Sequence, residues 1–254
     1  MKTELCLYAP YLIIALAALC GVALPAQAEE TAASSRVAAA LKPFVDSHTL
    51  AGAVTLVADK EKILDIEAVG YADIAAHRSM ATDALFWIAS QSKPITATAL
   101  MMLVDEGRLK LDDPVAKYLP EFNNLWLATE HDDSHMLLKR PRHPITVREI
   151  LSHTSGMSFS SAMEQPTLDM LSLRDAVRSY ALTPLQYEPG TKYQYANAGI
   201  NTAGRLIEVL SGMPYAEFLN TRLFKPLSSR PHFVRRNRVH LDLAITTKDL
   251  RPAT

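Results

Sequence analysis

A serine and a lysine three residues apart stand at the start of an apolar stretch, and they are the first candidates for chemistry. Ser90 and Lys93 occur in "SQSKP", which leads into "ITATALMMLVDEG". This run predicts a helix with almost no polar face, buried on all sides. Pro94 fits only in the first turn, where backbone N–H groups lack intrahelical partners. The helix is therefore expected to begin at Ser90 or just after it, with Ser90 and Lys93 on one face.

This placement indicates acyl-transfer chemistry. A helix N-terminus carries free N–H groups and a partial positive charge, which stabilise an oxyanion. A lysine in a desolvated site loses its proton more readily and can act as a base near neutral pH. A serine hydroxyl becomes a good nucleophile when such a base takes its proton. The same pair also fits a capping serine followed by a lysine that extends to solvent, and the pattern is expected about once by chance in a chain of this size.

A second stretch, "YEPGTKYQYANAG", contains Tyr195-Ala196-Asn197, the only Tyr-x-Asn of the chain. With these residues the sequence resembles the serine β-lactamase and penicillin-binding protein superfamily, in particular class C-type β-lactamases and related esterases. In that family a Ser-x-x-Lys opens a central buried helix, and a Tyr-x-Asn loop faces it. The stretches "DEGRLKLDDPVAKYLPEF" and "ITVREILSHTSGM" match in the same order. The resemblance runs from about residue 32 to residue 227.

The resemblance implies a role for each matching position. Ser90 would attack a carbonyl of a small ester, β-lactam or D-amino-acid peptide, and Lys93 would accept its proton. Tyr195 would pass a proton to the leaving group and help to activate the hydrolytic water. Asn197 would orient Lys93 or bind the substrate amide, and no cofactor is expected. His153 in "LSHTSG" fits the family pattern as a structural residue that bonds within the end of its helix. From the residues alone, Tyr195 also fits a core aromatic with a satisfied hydroxyl, and Asn197 a turn residue.

The elements around these motifs predict an α+β fold of the β-lactamase/transpeptidase-like type, a helical body beside an antiparallel sheet. "TAASSRVAAALKPFVDSH" has helical spacing, with Val37, Leu41 and Phe44 on one side. "AGAVTLVAD" and "KILDIEAVGYAD" predict a hairpin joined by a polar turn. Further helices are expected in "ITVREILSHTSG", closed by Gly156, in "AGINTAGRLIEVLSG", closed by Gly212, and in "PYAEFLNTRLF".

The first 28 residues predict a cleaved secretory signal peptide and a periplasmic or secreted protein. Their apolar run "YLIIALAALCGVAL" is 14 residues long, short of the ~20 that a spanning helix needs. Ala26-Gln27-Ala28 fits a signal peptidase site. No stable membrane span is then expected after cleavage.

Both cysteines, Cys6 and Cys20, lie in the segment that cleavage would remove. The exported protein would therefore depend on its core and not on disulfides. A lipid anchor on Cys20 is the alternative, but Leu19 is bulky where that processing requires a small residue. The 26 Lys and Arg against 27 Asp and Glu give a net charge of −1, which excludes a general electrostatic attraction to nucleic acid.

The C-terminal residues depart from the family pattern, so the hydrolase domain is expected over 29–227 and a divergent basic tail over 228–254. Residues 228–240 hold four arginines, no acidic residue and no glycine. No Lys- or His-x-Gly, the family's third motif, follows Asn197. "HLDLAIT" is expected to form one short strand and no more, so the sheet would keep chiefly its N-terminal hairpin. A truncated product with impaired activity is expected; a short paralogue whose basic tail binds a partner is the alternative.

Two other functional classes remain as alternatives. One is a penicillin-recognising protein that binds without turnover. The other is a zinc hydrolase, because His131 and His135 in "HDDSH" would share a face if the stretch were helical, although an exposed polar loop is the expected structure. An α/β-hydrolase is disfavoured because no G-x-S-x-G occurs.

The truncation hypothesis can be tested on the gene. A frameshift near codon 228 predicts that one of the other two reading frames downstream of codon 227 encodes further strands and a Lys- or His-x-Gly. Sequencing that region and translating all frames is the measurement. If neither of the other reading frames encodes further strands or a Lys- or His-x-Gly, the truncation hypothesis is wrong and the short paralogue is favoured.

Overall fold

The computed structural model describes residues 37–164 and 171–227, together with the backbone of residues 232–236 and 240–245. The chain divides into two compact units, Met1–Thr82 and Asp83–Thr254. The predicted signal peptide lies outside the described residues. Among the helices that are described, none is long and apolar enough to cross a membrane.

In residues 37–82, the described part of the first unit, one helix accompanies a three-stranded antiparallel sheet in the order β1-β2-β3. Its elements are α1 (37–46), β1 (Gly52–Ala58), β2 (Ile63–Asp73) and β3 (Arg78–Ser79). The predicted hairpin is confirmed as the β1-β2 pair. Its polar turn is held by the Asp59 carboxylate, which accepts the backbone N–H groups of Glu61 and Lys62.

The inner face of α1 differs from the prediction by one position. Phe44 is 53% exposed, whereas Val45 is buried. Val37 and Leu41 are half-buried, so the face that turns inward follows a strict i, i+4, i+8 spacing. Residues at that spacing lie above one another on a helix, and Phe44 falls about 100° away from Val45.

The second unit is mainly helical and contains all the candidate site residues. Its strands are β4 (Phe86–Trp87), β5 (Leu127–His131), β6 (Met136–Lys139), β7 (His232–Arg236) and β8 (His240–Ile245). Its α-helices are α2 (Ser92–Asp105), α3 (Val147–Leu151), α4 (Leu173–Leu182), α5 (Asn197–Ser211) and α6 (Tyr215–Phe218). Single turns of 3₁₀-helix span Ala89–Gln91, Val115–Lys117 and Pro120–Asn124, and a π-helical turn spans Leu219–Phe224.

Helix α5 is the centre of this unit and packs against α2, α3 and α4. Leu100 and Leu103 of α2 and Leu206 and Ile207 of α5 are fully buried. Helix α5 ends, as predicted, at Gly212, which adopts the left-handed conformation at φ +72°. Helix α2 is less buried than predicted: it has an exposed edge that includes Pro94 and Thr98.

Helix α3 begins with a capping box and ends earlier than predicted. The Thr146 side chain accepts the N–H of Glu149, and the Glu149 carboxylate accepts the N–H of Thr146, an arrangement that satisfies two free donors of the first turn. The helix stops at Leu151 and does not continue to Gly156. The chain leaves helical geometry because His153 adopts a left-handed conformation at φ +59°.

The C-terminal residues form two strands, which corrects the prediction of one strand at most. Strands β7 and β8 pair antiparallel, and β8 also pairs with β4, so the sheet has the order β4-β8-β7. The sequence of β7, "HFVRR", lies in the predicted basic tail, and its arginines do not indicate a strand. Since β7 lies at an edge of this sheet, charged residues are compatible with a strand there.

Close packing between α5 and α3 generates a stability prediction. A Cβ atom added at Gly199 would lie 2.5 Å from the carbonyl oxygen of Ile150, so Gly199→Ala must displace backbone. We expect a loss of about 1–3 kcal/mol in the free energy of unfolding. Gly204→Ala, on the same helix, is the control: its nearest neighbour would lie at 3.5 Å, so the variant should gain up to ~1 kcal/mol of helix propensity. Urea denaturation measures both, and equal stability of the two variants would contradict the packing argument.

Candidate active site

Ser90 lies in the 3₁₀ turn that leads into helix α2, which begins at Ser92. The predicted start of the helix, just after Ser90, is therefore confirmed. Ala89, directly before Ser90, adopts a left-handed backbone conformation at φ +45°. That conformation is unfavourable for an alanine and persists only where the surrounding structure imposes it. The turn thus holds the serine in an exposed position at the head of the helix.

Two other predicted site residues reach the hydroxyl of Ser90. The ammonium group of Lys93 donates a hydrogen bond to Ser90 Oγ at 3.0 Å, and the phenol of Tyr195 donates another at 2.7 Å. Lys93 Nζ also lies 4.8 Å from the centroid of the Tyr195 ring. The structure therefore brings Ser90, Lys93 and Tyr195 together from two segments that are more than a hundred residues apart in the chain.

The surroundings of Tyr195 change the acidity of its phenol. Partial burial is the largest single influence and raises the pKa, but the hydrogen bonds with Lys93 and Ser90 and the positive charge of Lys93 together outweigh it. The pKa of Tyr195 is therefore lowered from its usual value near 10. A more acidic phenol can both accept and return a proton beside Ser90. Two groups, the side chains of Lys93 and Tyr195, are thus in place to exchange protons with the Ser90 hydroxyl, each as an acceptor only in its deprotonated form.

His153 supports Tyr195 from the side. The two rings lie 4.7 Å apart between centroids, with 32° between their planes. His153 Nδ1 accepts the backbone N–H of Ala196 at 3.2 Å, and the carbonyl of His153 accepts the N–H of Gln194 at 2.8 Å. His153 was predicted to bond within the end of its own helix, which is wrong. Its bonds go to the segment that carries Tyr195, because the left-handed backbone at His153 turns the chain away from α3.

Asn197 is the first residue of α5. Its N–H and that of Ala198 both donate to the carbonyl oxygen of Phe159, at 3.1 and 3.3 Å, which satisfies two free donors of the helix N-terminus. Within the described part of the chain, no hydrogen bond joins the Asn197 side chain to Lys93. The orientation of Lys93 by Asn197 is therefore not observed, and the contact of Asn197 with a substrate amide stays a prediction.

Sequence reasoning missed the aromatic and loop residues that surround this group. The Phe159 ring lies 6.4 Å from that of Tyr195, and the Tyr193 ring lies edge-on to His153 at 5.9 Å. The alternation of tyrosines in "YQY" could have indicated Tyr193. No local signal indicates Phe159, because its contacts join residues nearly forty positions apart.

His131 and His135 lie outside this group. His131 ends strand β5 and His135 precedes strand β6, so the stretch is a hairpin turn and not the helix that a zinc site of this spacing requires. The Asp132 carboxylate accepts the N–H groups of Ser134 and His135 and shapes the turn. In the residues that the structure describes, no three His, Cys, Asp or Glu side chains are grouped to hold a metal ion.

Comparison with known proteins points in the same direction as the geometry. The family model described as Beta-lactamase matches residues 37–249. Esterase EstB of Burkholderia gladioli is 34% identical over 209 residues, which cover 78% of this chain and 50% of EstB. Penicillin-binding protein 4* of Bacillus subtilis is 31% identical over 193 residues, which cover 71% of this chain and 37% of that protein.

A solved structure, that of EstCE1, has a similar fold. EstCE1 is a hydrolase with promiscuous acyltransferase activity, and it is 28% identical to this chain with a TM-score of 0.67. The match covers 82% of this chain and 55% of EstCE1. This chain spans between about a third and a half of the length of the curated relatives that it matches.

The position of His153 generates a prediction about pH. Burial, followed by the charge of Lys93, lowers the pKa of His153 below its usual 6.5. At pH values between that lowered pKa and 6.5, the His153 side chain binds more protons in the unfolded chain than in the folded one. The stability that neutral His153 contributes is therefore lost as the pH falls from about 7 through this range. NMR titration of the imidazole should give a midpoint below 6.5 in the parent chain.

Lys93→Ala should move this midpoint upward, because one of the two influences that lower it is removed. Lys117→Ala is the matched control, since Lys117 pairs with Asp113 on an exposed surface. The same midpoint in Lys93→Ala as in the parent would contradict the predicted influence of Lys93.

Proposed function

The chain belongs to the Beta-lactamase family, and on that premise we propose that it is a serine hydrolase that acts on small esters or β-lactams through an acyl-enzyme on Ser90. The fold is α+β and of the β-lactamase/transpeptidase-like type. One observation carries the proposal: Lys93 and Tyr195 both lie within hydrogen-bond distance of Ser90 Oγ. A nucleophile in contact with one group that can accept its proton and another that can give a proton to the leaving group is an arrangement suited to covalent catalysis.

The proposed reaction has two steps. In the first, Lys93 in its neutral form accepts the hydroxyl proton while Ser90 Oγ attacks the carbonyl carbon. The bond to the leaving group breaks, and Tyr195 delivers a proton to that group. In the second, a water molecule gives a proton to Tyr195 and attacks the acyl-ester. The bond to Ser90 Oγ breaks, Lys93 returns its proton to that oxygen, and a carboxylic acid is released. The short path between Tyr195 and Ser90, 2.7 Å, suits this exchange.

The relatives indicate the class of substrate. EstB is named as an esterase and EstCE1 as a hydrolase that also transfers acyl groups. Small esters are therefore the first proposed substrates, and β-lactams and D-amino-acid peptides follow from the family. Release of the acyl group to water or to a second small molecule would use the same acyl-Ser90 intermediate.

A second candidate is a protein that becomes acylated, or binds penicillin, without turnover. The similarity to penicillin-binding protein 4* favours it. The lifetime of the acyl group on Ser90 separates the two candidates: a hydrolase releases it within the time of an assay, whereas a binding protein retains it. We also propose export, on the basis of the predicted signal peptide alone.

Covalent labelling tests the proposal. A fluorescent fluorophosphonate and a fluorescent penicillin, each incubated with the full chain, should label Ser90, as peptide mass mapping would show. Ser90→Ala should lose the label. Lys93→Ala should slow labelling by about 10²–10⁴-fold, the usual contribution of a general base.

Lys117→Ala is the control for Lys93→Ala and should react at the parental rate, because Lys117 contacts Asp113 and Tyr118 and not Ser90. Labelling that persists in Ser90→Ala would refute the proposed nucleophile. Equal rates for the two lysine variants would refute the proposed base.

A further inference from the structure

We propose that Glu164 is a positioning residue that holds Tyr195 against Ser90 through a buried polar network. This inference rests on the proposed function. Glu164 is a carboxylic acid with only 1% of its surface exposed. Burial of such a group is expensive unless its oxygens are hydrogen-bonded, and both oxygens of Glu164 have donors.

The network joins a loop to two helices. Glu164 Oε2 accepts the N–H of Ser161 at 2.8 Å, and Glu164 Oε1 accepts the hydroxyl of Tyr180 on α4 at 2.6 Å. The Tyr180 oxygen in turn accepts the side-chain amide of Asn201 on α5 at 2.8 Å. Burial, reinforced by Glu164, raises the pKa of Tyr180, so its hydroxyl keeps its proton and remains a donor to Glu164.

The loop that Glu164 holds also fixes the start of α5. The carbonyl of Phe159, five residues before Glu164, accepts the N–H groups of Asn197 and Ala198. Asn201, at the far end of the network, lies one turn after Asn197 on the same helix. Helix α5 is thus linked twice to the loop, directly through its N-terminus and, by way of Tyr180 on α4, through its second turn. Tyr195 lies two residues before this doubly bound helix end.

The placement favours a role in geometry over a role in bulk stability. An apolar side chain of similar volume would avoid the desolvation of a carboxylate and is often as stable. The Glu164 carboxylate fixes the direction of two hydrogen-bond donors from different segments, the N–H of Ser161 and the hydroxyl of Tyr180. Tyr195 needs such precision, because a displacement of about 1 Å in a reacting group can reduce a rate by 10²-fold.

The test measures the rate at which a fluorophosphonate labels Ser90 in the full chain, at a temperature well below the unfolding of each variant. Glu164→Leu removes both acceptors and Tyr180→Phe removes the shared hydroxyl while leaving its ring. Each should slow labelling by roughly 10-fold or more. Tyr118→Phe is the matched control, since it removes a tyrosine–carboxylate hydrogen bond, to Asp113, elsewhere in the unit. It should react at the parental rate.

A double-mutant cycle with Tyr195→Phe separates positioning from a general loss of structure. If Glu164 acts through the Tyr195 hydroxyl, Tyr180→Phe should slow the parent but have little further effect in the Tyr195→Phe background. If Tyr180→Phe slows labelling by the same factor in the parent and in the Tyr195→Phe background, the inference is overturned. It is also overturned if the parent is labelled on Ser90 and both Glu164→Leu and Tyr180→Phe are labelled at the parental rate. In both cases the proposed function stands. A parent chain that is not labelled on Ser90 would overturn the proposed function as well.

Discussion

The hydroxyl of Ser90 accepts a hydrogen bond from Tyr195, 105 positions later in the chain, so the packing of the second unit has to bring these two residues together. Lys93 needs only one turn of helix to reach Ser90, so local geometry suffices for it. Tyr195 is brought there by tertiary structure, because α5 follows it directly and packs against α2. The separation between the two reacting groups is therefore a consequence of how closely these two helices approach.

The sequence of α5 is adapted to close contact on several sides. Ala198, Gly199, Ala203 and Gly204 keep much of its surface small, and all are buried. Small residues let a helix backbone approach its neighbours closely. At Gly199 the carbonyl oxygen of Ile150 is so near that a Cβ atom would have no room. The helix can therefore be fixed by main-chain contacts as well as by side chains. A helix held in this way transmits a defined position to the residues just before it, including Tyr195.

The reacting residues could be predicted from the sequence, whereas the residues that hold them could not. Ser90 and Lys93 are related by helix geometry alone, and Tyr195 was located by its resemblance to a family motif. The partners of His153 and the burial of Glu164 depend on contacts between segments tens of residues apart. In "SSAMEQP" a glutamate is typical of an exposed loop, and only the fold shows that Tyr180 covers it. Strand β7 was missed for a similar reason: its arginines are compatible with a strand only at the edge of a sheet.

The charge of Lys93 acts both on Tyr195, which takes part in the proposed reaction, and on His153, which holds the segment that carries Tyr195. It lowers the pKa of Tyr195 and also that of His153. The first effect makes the phenol a better partner for proton transfer. The second keeps His153 neutral, and only a neutral imidazole can accept the N–H of Ala196 at Nδ1. The ammonium form of Lys93 therefore favours both the acidity of Tyr195 and the hydrogen bond that holds the Tyr195 segment in place. In the proposed reaction Lys93 starts neutral and becomes an ammonium when it takes the proton of Ser90, so both effects strengthen together as the acyl-enzyme forms.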